Sequence, residues 1–167
     1  MADIKSSIEA AVAYLTEHPQ EALYTDSEAT ATLESGLRCR IVGGAGETLI
    51  TDMPAAVGGS AAAPTPGWLF RAALAACDAS LVAMQAAREG VSLSLLEVKV
   101  DSESDDRGIL GMDKAVPAGP LSMRVRIRLQ GDATPERLAE IARLGVAHCP
   151  IHDAAERAIP IGVEVDS

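Results

Sequence analysis

Residues 65–90 read TPGWLFRAALAACDASLVAMQAAREG and contain the most apolar window of the 167-residue chain. The hydroxyl of Thr65 followed by Pro66 is typical of the N-cap and first position of a helix. Gly90 is typical of the position just after a helix end. The stretch therefore predicts a long hydrophobic helix, and the charge of Asp78 within it favours a buried core helix over a membrane span.

Segments that alternate apolar and polar residues precede this helix, as expected of half-buried strands. They cover residues 29–34, 37–42 and 48–53 and are separated by Gly-containing turns. The pattern predicts a three-stranded antiparallel meander, followed by a small-residue loop at 58–63. A further helical stripe at residues 3–15 predicts an N-terminal appendage, residues 1–24, in front of a domain covering residues 25–167.

The chain after the helix predicts a second group of strands with more helices. Strands are expected at 96–101, 121–130 and 159–165, helices from Thr134 to before Pro150 and from 150 to about 158, and a long excursion at 101–119. Residues 121–130 alternate without a break and carry Arg124, Arg126 and Arg128 on one face, which we interpret as a polar sheet face paired with acidic residues. The fold class is therefore α+β, with strands in two groups around a central hydrophobic helix.

Composition excludes several classes of protein. Lys and Arg number 14 against 24 Asp and Glu, a net charge of −10, which argues against nucleic-acid binding because that needs a basic surface. No basic segment followed by an apolar run opens the chain, so we expect no secretory signal. An odd count of three cysteines predicts a reduced, cytoplasmic protein without a disulfide scaffold. We also expect no membrane partner.

Two of the three cysteines are candidates for chemistry. Cys77 falls on an apolar stripe of the predicted helix, so it is either a small buried hydrophobe or a reactive thiol that takes its cation from elsewhere in the fold. Cys149 lies at the expected N-terminal edge of a short helix, where free N–H groups favour a thiolate and nearby Asp153 opposes it. Position alone leaves both readings of each cysteine open. Cys39 has no assigned role.

Other polar residues give weaker signals. His148, Cys149 and His152 resemble a metal cluster, but Pro150 disrupts the helix that would align the two imidazoles, so we expect no metal site. Arg38 and Arg40 flank Cys39 on the second strand, where they form a solvated face or supply the cation that Cys77 requires.

Two segments together resemble the OsmC/Ohr family (osmotically inducible protein C and organic hydroperoxide resistance protein). They are residues 65–77, TPGWLFRAALAAC, and residues 147–151, AHCPI. The order of meander, glycine-rich loop, cysteine helix, strands, helix and His-Cys-Pro also matches. The resemblance covers the chain from about residue 28 onward and implies an OsmC-like fold, assembled as an intertwined homodimer with its active sites at the subunit interface.

The resemblance implies a thiol-dependent peroxidase that reduces organic hydroperoxides. Cys77 would be the thiolate that attacks the peroxide, and Cys149 the resolving thiol that closes a disulfide. Arg38 is the best match to the family arginine that holds the thiolate, and Arg40 is the second. A dithiol such as a lipoyl protein would reset the pair, and no cofactor is expected. Apolar walls such as Phe70, Leu74 and Leu81 would favour organic hydroperoxides.

One position departs from the family pattern. Family peroxidases read Asn-Pro-Glu where residues 65–67 read Thr-Pro-Gly, and that glutamate orients the arginine. Glu34, Glu47 and Asp78 are the candidates to replace it. The departure indicates a divergent branch and motivates an alternative, a non-enzymatic ligand-binding or interaction module on the same fold. Cysteine-dependent acyl transfer is a third hypothesis.

Overall fold

The structure is a computed structural model that describes residues 3–166. The chain divides into two compact units, one formed by Ser7–Ala72 and the other by the chain from Ala73 onward together with the first residues. A helix, α1 (Ile4–Glu17), opens the chain and buries none of its residues.

The first unit contains the predicted antiparallel meander. Its strands are β1 (Ala29–Ser35), β2 (Arg38–Gly43) and β3 (Thr48–Thr51), and β2 lies between the other two. Gly36, in the first turn, has a φ of +55°, a left-handed conformation that glycine adopts without strain.

Asp52 fixes the small-residue loop that follows β3. Only 1% of Asp52 is exposed, and its carboxylate accepts hydrogen bonds from the amide of Ser60 at 3.1 Å and from the amide of Ala62 at 3.2 Å. The Ser60 hydroxyl donates to the same oxygen. The Ser60 and Ala62 bonds, with the Met53 amide, lower the pKa of Asp52 from 3.8 to about 2, so its charge holds the loop closed.

The second unit carries most of the remaining elements. They are the larger part of α2 (Pro66–Arg88), then β4 (Leu93–Glu103), α3 (Asp106–Ile109), β5 (Ser122–Gly131), α4 (Pro135–Ala147) and α5 (Pro150–Glu156). The predicted caps are confirmed, because the Trp68 amide donates to the Thr65 hydroxyl at 3.1 Å and Gly90 has a φ of +71°. Strands β4 and β5 form an antiparallel pair.

The core of the second unit lies where α2, α4 and the β4–β5 sheet meet. Val82, Ala86 and Ile141 are buried there, packed against apolar side chains of both strands. Gly145 of α4 makes this crossing close, because a Cβ atom at that position would lie 2.6 Å from the Cα atom of Val82. Helix α2 is long and apolar enough to cross a membrane, by length and composition alone, as core helices of water-soluble proteins also are.

Two expectations change with the structure and one is confirmed. The excursion at 101–119 contains the short helix α3, which Asp105 caps through its side chain. Arg124 and Arg126 pair with Asp101 at 3.1 and 2.6 Å, so acidic partners exist as expected. The closing strand expected at 159–165 is wrong for the single chain, because the described residues after α5 form no strand and Ile161 and Val163 are more than 80% exposed.

Candidate functional site

Cys149 is held at the start of α5 by its own helix. It is the N-cap residue, and its Sγ atom accepts a hydrogen bond from the backbone amide of His152 at 3.4 Å. Only 1% of Cys149 is exposed. The predicted position at the helix edge is therefore confirmed, with the sulfur taking the place of the usual capping oxygen.

The structure brings the two candidate cysteines together. The thiol of Cys149 lies close enough to the side chain of Cys77, a half-buried residue of α2, for the two to interact and raise the pKa of Cys149. The two residues come from elements far apart in the sequence, so the contact is a product of the tertiary packing of α5 on α2.

Position in the sequence leaves the protonation of Cys149 open, and burial decides it in favour of the neutral thiol. Burial raises the pKa of Cys149 from 9.0 to about 12, and contacts of its thiol with Cys77 and with the carboxylate of Asp78 add to the effect. The amide of His152 lowers this pKa but does not balance burial. Cys149 is therefore a protonated thiol at neutral pH.

Asp78 is a buried carboxylate beside the two cysteines. It is fully buried on α2, and its Oδ2 atom lies 3.2 Å from Nδ1 of His152. Its Oδ1 atom is also buried and has no hydrogen-bond partner among residues 3–166. The second nitrogen of the His152 imidazole, Nε2, lies 3.3 Å from the exposed carboxylate of Glu156.

A cavity of about 450 Å³ opens beside His152. Its walls are apolar side chains of β5 and α4, and its rim carries charged residues of α4 and α5. The lining residues are Val125, Ile127, Ala142, Arg143, Val146, Ala147, His152, Asp153 and Glu156. The cavity gives the outer edge of the imidazole access to solvent, while Cys149 stays enclosed.

Arg38 and Arg40 share one carboxylate in the meander. Nε of Arg40 donates to Glu34 at 2.6 Å, and Nε of Arg38 donates to the other oxygen of Glu34 at 3.3 Å. Both arginines therefore lie on one face of the meander, as the sequence predicts. Of the three carboxylates considered as replacements for the family glutamate, Glu34 is the one paired with these arginines.

Position 67 has room for a side chain. A Cβ atom built on Gly67 would meet nothing closer than Nη1 of Arg71 at 3.9 Å. Crowding at the Cβ position therefore does not explain the absence of the family glutamate.

The remaining candidates have local roles. Nδ1 of His148 lies 2.8 Å from the carbonyl oxygen of Leu144, and Cys39 is a half-buried strand residue. Within residues 3–166, no group of three or more His, Cys, Asp or Glu side chains is arranged to hold a metal ion.

The sequence also matches a known protein family. A family model described as OsmC-like protein matches residues 58–164, which include both Cys77 and Cys149. The chain belongs to the OsmC-like protein family. Arg38 and Glu34 precede the matched residues. No curated protein matches this OsmC-like chain.

Solved structures share the fold. An OsmC-like protein from Mycoplasma pneumoniae is similar with a TM-score of 0.68 and 14% identity, over 80% of this chain and 89% of that one. An organic hydroperoxide resistance protein from Legionella pneumophila gives a TM-score of 0.57 and 24% identity over 79% and 89%. One from Bacillus subtilis gives 0.52 and 21% over 79% and 90%. At these identities the likeness establishes the OsmC-like α+β fold alone.

Sequence reasoning missed the pairing of Asp78 with His152. We considered Asp78 only as part of a polar seam or as a replacement carboxylate, and His152 only as a metal ligand. The available signal was a carboxylate next to Cys77 inside an apolar helix, since a buried charge requires a partner.

Proposed function

We propose that this OsmC-like protein is a thiol-dependent peroxidase that reduces organic hydroperoxides through Cys77 and Cys149. The proximity of the two sulfur-bearing side chains carries the proposal, because a peroxidatic and a resolving cysteine must meet to form a disulfide. Two of the three solved structures described above are named organic hydroperoxide resistance proteins, which supports the substrate class.

The protonation of Cys149 supports the division of roles. A thiol with a pKa of about 12 is a poor first nucleophile, so Cys77 is the residue that attacks the peroxide. The Cys77 thiolate takes the terminal oxygen of the hydroperoxide and becomes a sulfenic acid, and the organic part leaves as an alcohol after gaining a proton. The thiol of Cys149 then displaces water from the sulfenic acid to form the disulfide.

A dithiol closes the cycle by exchanging with this disulfide, which returns both thiols and leaves the reductant oxidised. A lipoyl protein is the proposed donor. Arg38 is proposed to hold the Cys77 thiolate, with Arg40 as the second choice and Glu34 as the carboxylate that orients them. The pairing of Glu34 with both arginines supports this assignment.

The assembly and location follow from the same proposal. We propose an intertwined homodimer in the cytoplasm. The C-terminal segment supports the dimer, because its alternating apolar side chains, including Ile161 and Val163, lie exposed in the single chain. The three free cysteines support a reducing compartment.

The experiment measures consumption of cumene hydroperoxide with dihydrolipoamide present. We expect turnover by the wild-type protein, none by Cys77→Ser, and one equivalent of alcohol with a trapped sulfenic acid at Cys77 in Cys149→Ser. Cys39→Ser is the matched control and retains turnover. Absence of alcohol from the wild-type protein contradicts the proposal and favours the ligand-binding alternative.

A further inference from the structure

We infer that Asp78 is the general base of the resolving step and that His152 positions it. This inference rests on the proposed peroxidase function. It concerns the second step, in which a buried thiol has to lose its proton to become a nucleophile. The geometry of two groups around that thiol carries the inference.

The first group is the carboxylate itself. Asp78 is fully buried and lies beside the thiol of Cys149, because His152 binds both, the carboxylate through its imidazole and the sulfur through its backbone amide. Its Oδ1 atom has no hydrogen-bond partner among the described residues, although buried polar atoms are nearly always satisfied. A free acceptor beside a protonated thiol is the arrangement that general-base catalysis requires.

The second group is the imidazole of His152. It binds Oδ2 of Asp78 at 3.2 Å, which fixes the carboxylate and leaves Oδ1 for the thiol. The backbone amide of the same residue binds Sγ of Cys149 at 3.4 Å. One residue therefore orients both the base and the nucleophile.

The charge pattern agrees with a base that acts only when Cys77 is oxidised. The titratable groups acting on the Cys149 thiol are Cys77 and Asp78 on α2, and its own helix contributes a hydrogen bond from the backbone amide of His152. The negative carboxylate disfavours a free thiolate at Cys149, so no nucleophile forms in the resting protein. Proton transfer to Asp78 during attack creates no second negative charge, since the carboxylate becomes neutral as the sulfur–sulfur bond forms.

The step balances without any further reactant. The thiol proton of Cys149 passes to Asp78 as Sγ attacks the sulfenic sulfur of Cys77. The S–O bond of the sulfenic acid breaks, and the leaving hydroxide takes the proton from Asp78 to depart as water. The carboxylate is regenerated, and Cys77 and Cys149 are joined by a disulfide.

The test separates the two steps in a single turnover with one equivalent of cumene hydroperoxide. Alcohol release reports the oxidation of Cys77, dimedone trapping reports its sulfenic acid, and peptide mass spectrometry reports the disulfide. In Asp78→Asn we expect the disulfide to form about 100-fold more slowly than in the wild type, with sulfenic acid accumulating. Asp106→Asn removes an exposed carboxylate of α3, away from the two cysteines, and should leave disulfide formation unchanged.

A pH profile distinguishes a base from a structural residue. Without Asp78, the Cys149 thiol depends on hydroxide, so its rate of disulfide formation should rise about tenfold per pH unit above neutrality. The wild-type rate should be nearly flat over the same range. A slow rate in Asp78→Asn that does not rise with pH, or disulfide formation at the wild-type rate, overturns the inference.

Variants of His152 keep the inference testable if Asp78→Asn does not fold. His152→Ala should slow disulfide formation about tenfold, and His152→Asn, which keeps a donor near the Nδ1 position, should restore part of it. Equal rates in both variants and the wild type overturn the positioning role. Failure of the wild-type protein to release alcohol removes the peroxidase itself, and this inference with it.

Discussion

Nδ1 of His152 lies 3.2 Å from Oδ2 of Asp78, which links α5 to the buried face of α2 across 74 residues of sequence. This contact gives Oδ2 of the buried carboxylate its hydrogen-bond partner inside an apolar helix. It also fixes the start of α5, where Cys149 caps the helix.

We expect His152→Ala to lower the free energy of unfolding by about 1–3 kcal/mol, because it leaves the buried Asp78 carboxylate without its partner. Urea denaturation measures the effect. Glu156→Gln is the control, since Glu156 contacts the same imidazole from an exposed position and its change should fall within about 0.5 kcal/mol. Equal effects of the two substitutions would contradict the role given to the Asp78 contact.

The thiol of Cys149 should react slowly with iodoacetamide in the folded protein. A pKa raised from 9.0 to about 12 lowers the thiolate fraction at neutral pH about a thousandfold relative to the unfolded chain. Peptide mass spectrometry after timed alkylation, with and without urea, measures the ratio for this cysteine. Rapid labelling of Cys149 in the folded protein would show that its sulfur is not protected.

Asp52 should make stability sensitive to acid. Its pKa is about 2 in the folded protein and 3.8 in the unfolded chain, so its stabilising effect is fully present above about pH 4 and is lost as the pH falls toward 2. The difference in unfolding free energy between wild type and Asp52→Asn should therefore shrink over that interval. A difference that stays constant down to pH 2 would argue against stabilisation of the loop by the charged Asp52 carboxylate.

Gly145 should not tolerate a methyl group. In Gly145→Ala the new Cβ meets the backbone of Val82 at 2.6 Å, so α2 and α4 must move apart, at a cost of about 1–3 kcal/mol. Thermal unfolding measures the loss. Gly119→Ala is the matched control, because nothing lies within 4 Å of its Cβ position. Comparable stability of both variants would mean that the helices separate without cost.

Under the proposed function, Arg38→Ala should slow the oxidation of Cys77 by about 100-fold, because a guanidinium that stabilises the thiolate and the transition state is lost. Arg40→Ala should slow it less than about tenfold. Rapid-quench measurement of alcohol release compares the two. The reverse order would transfer the role to Arg40, and no effect from either would remove the meander arginines from the mechanism.

Local patterns predicted much of the fold. The capping residues Thr65 and Gly90 identified the ends of α2, and unbroken alternation identified β5. The alternating segment at 159–165 has the same pattern but forms no strand in the single chain. Alternation reports which side chains can be buried, whereas strand formation also needs a neighbouring backbone to supply hydrogen bonds.

The site was predicted only in part. The resemblance named Cys77 and Cys149, and the packing brings them into contact. Local sequence left the acidity of Cys149 open, because helix position is visible in the sequence and burial is not. The pairing of Asp78 with His152 joins residues from separate helices, so no spacing rule could have found it.

The sulfur of Cys149 makes two interactions, because it also caps the N-terminal end of α5 by accepting a hydrogen bond from the backbone amide of His152. A disulfide bond to Cys77 would make Sγ of Cys149 a weaker hydrogen-bond acceptor and would destabilise the first turn of the helix. Oxidation would then be detectable as faster deuterium uptake by the backbone at the beginning of α5.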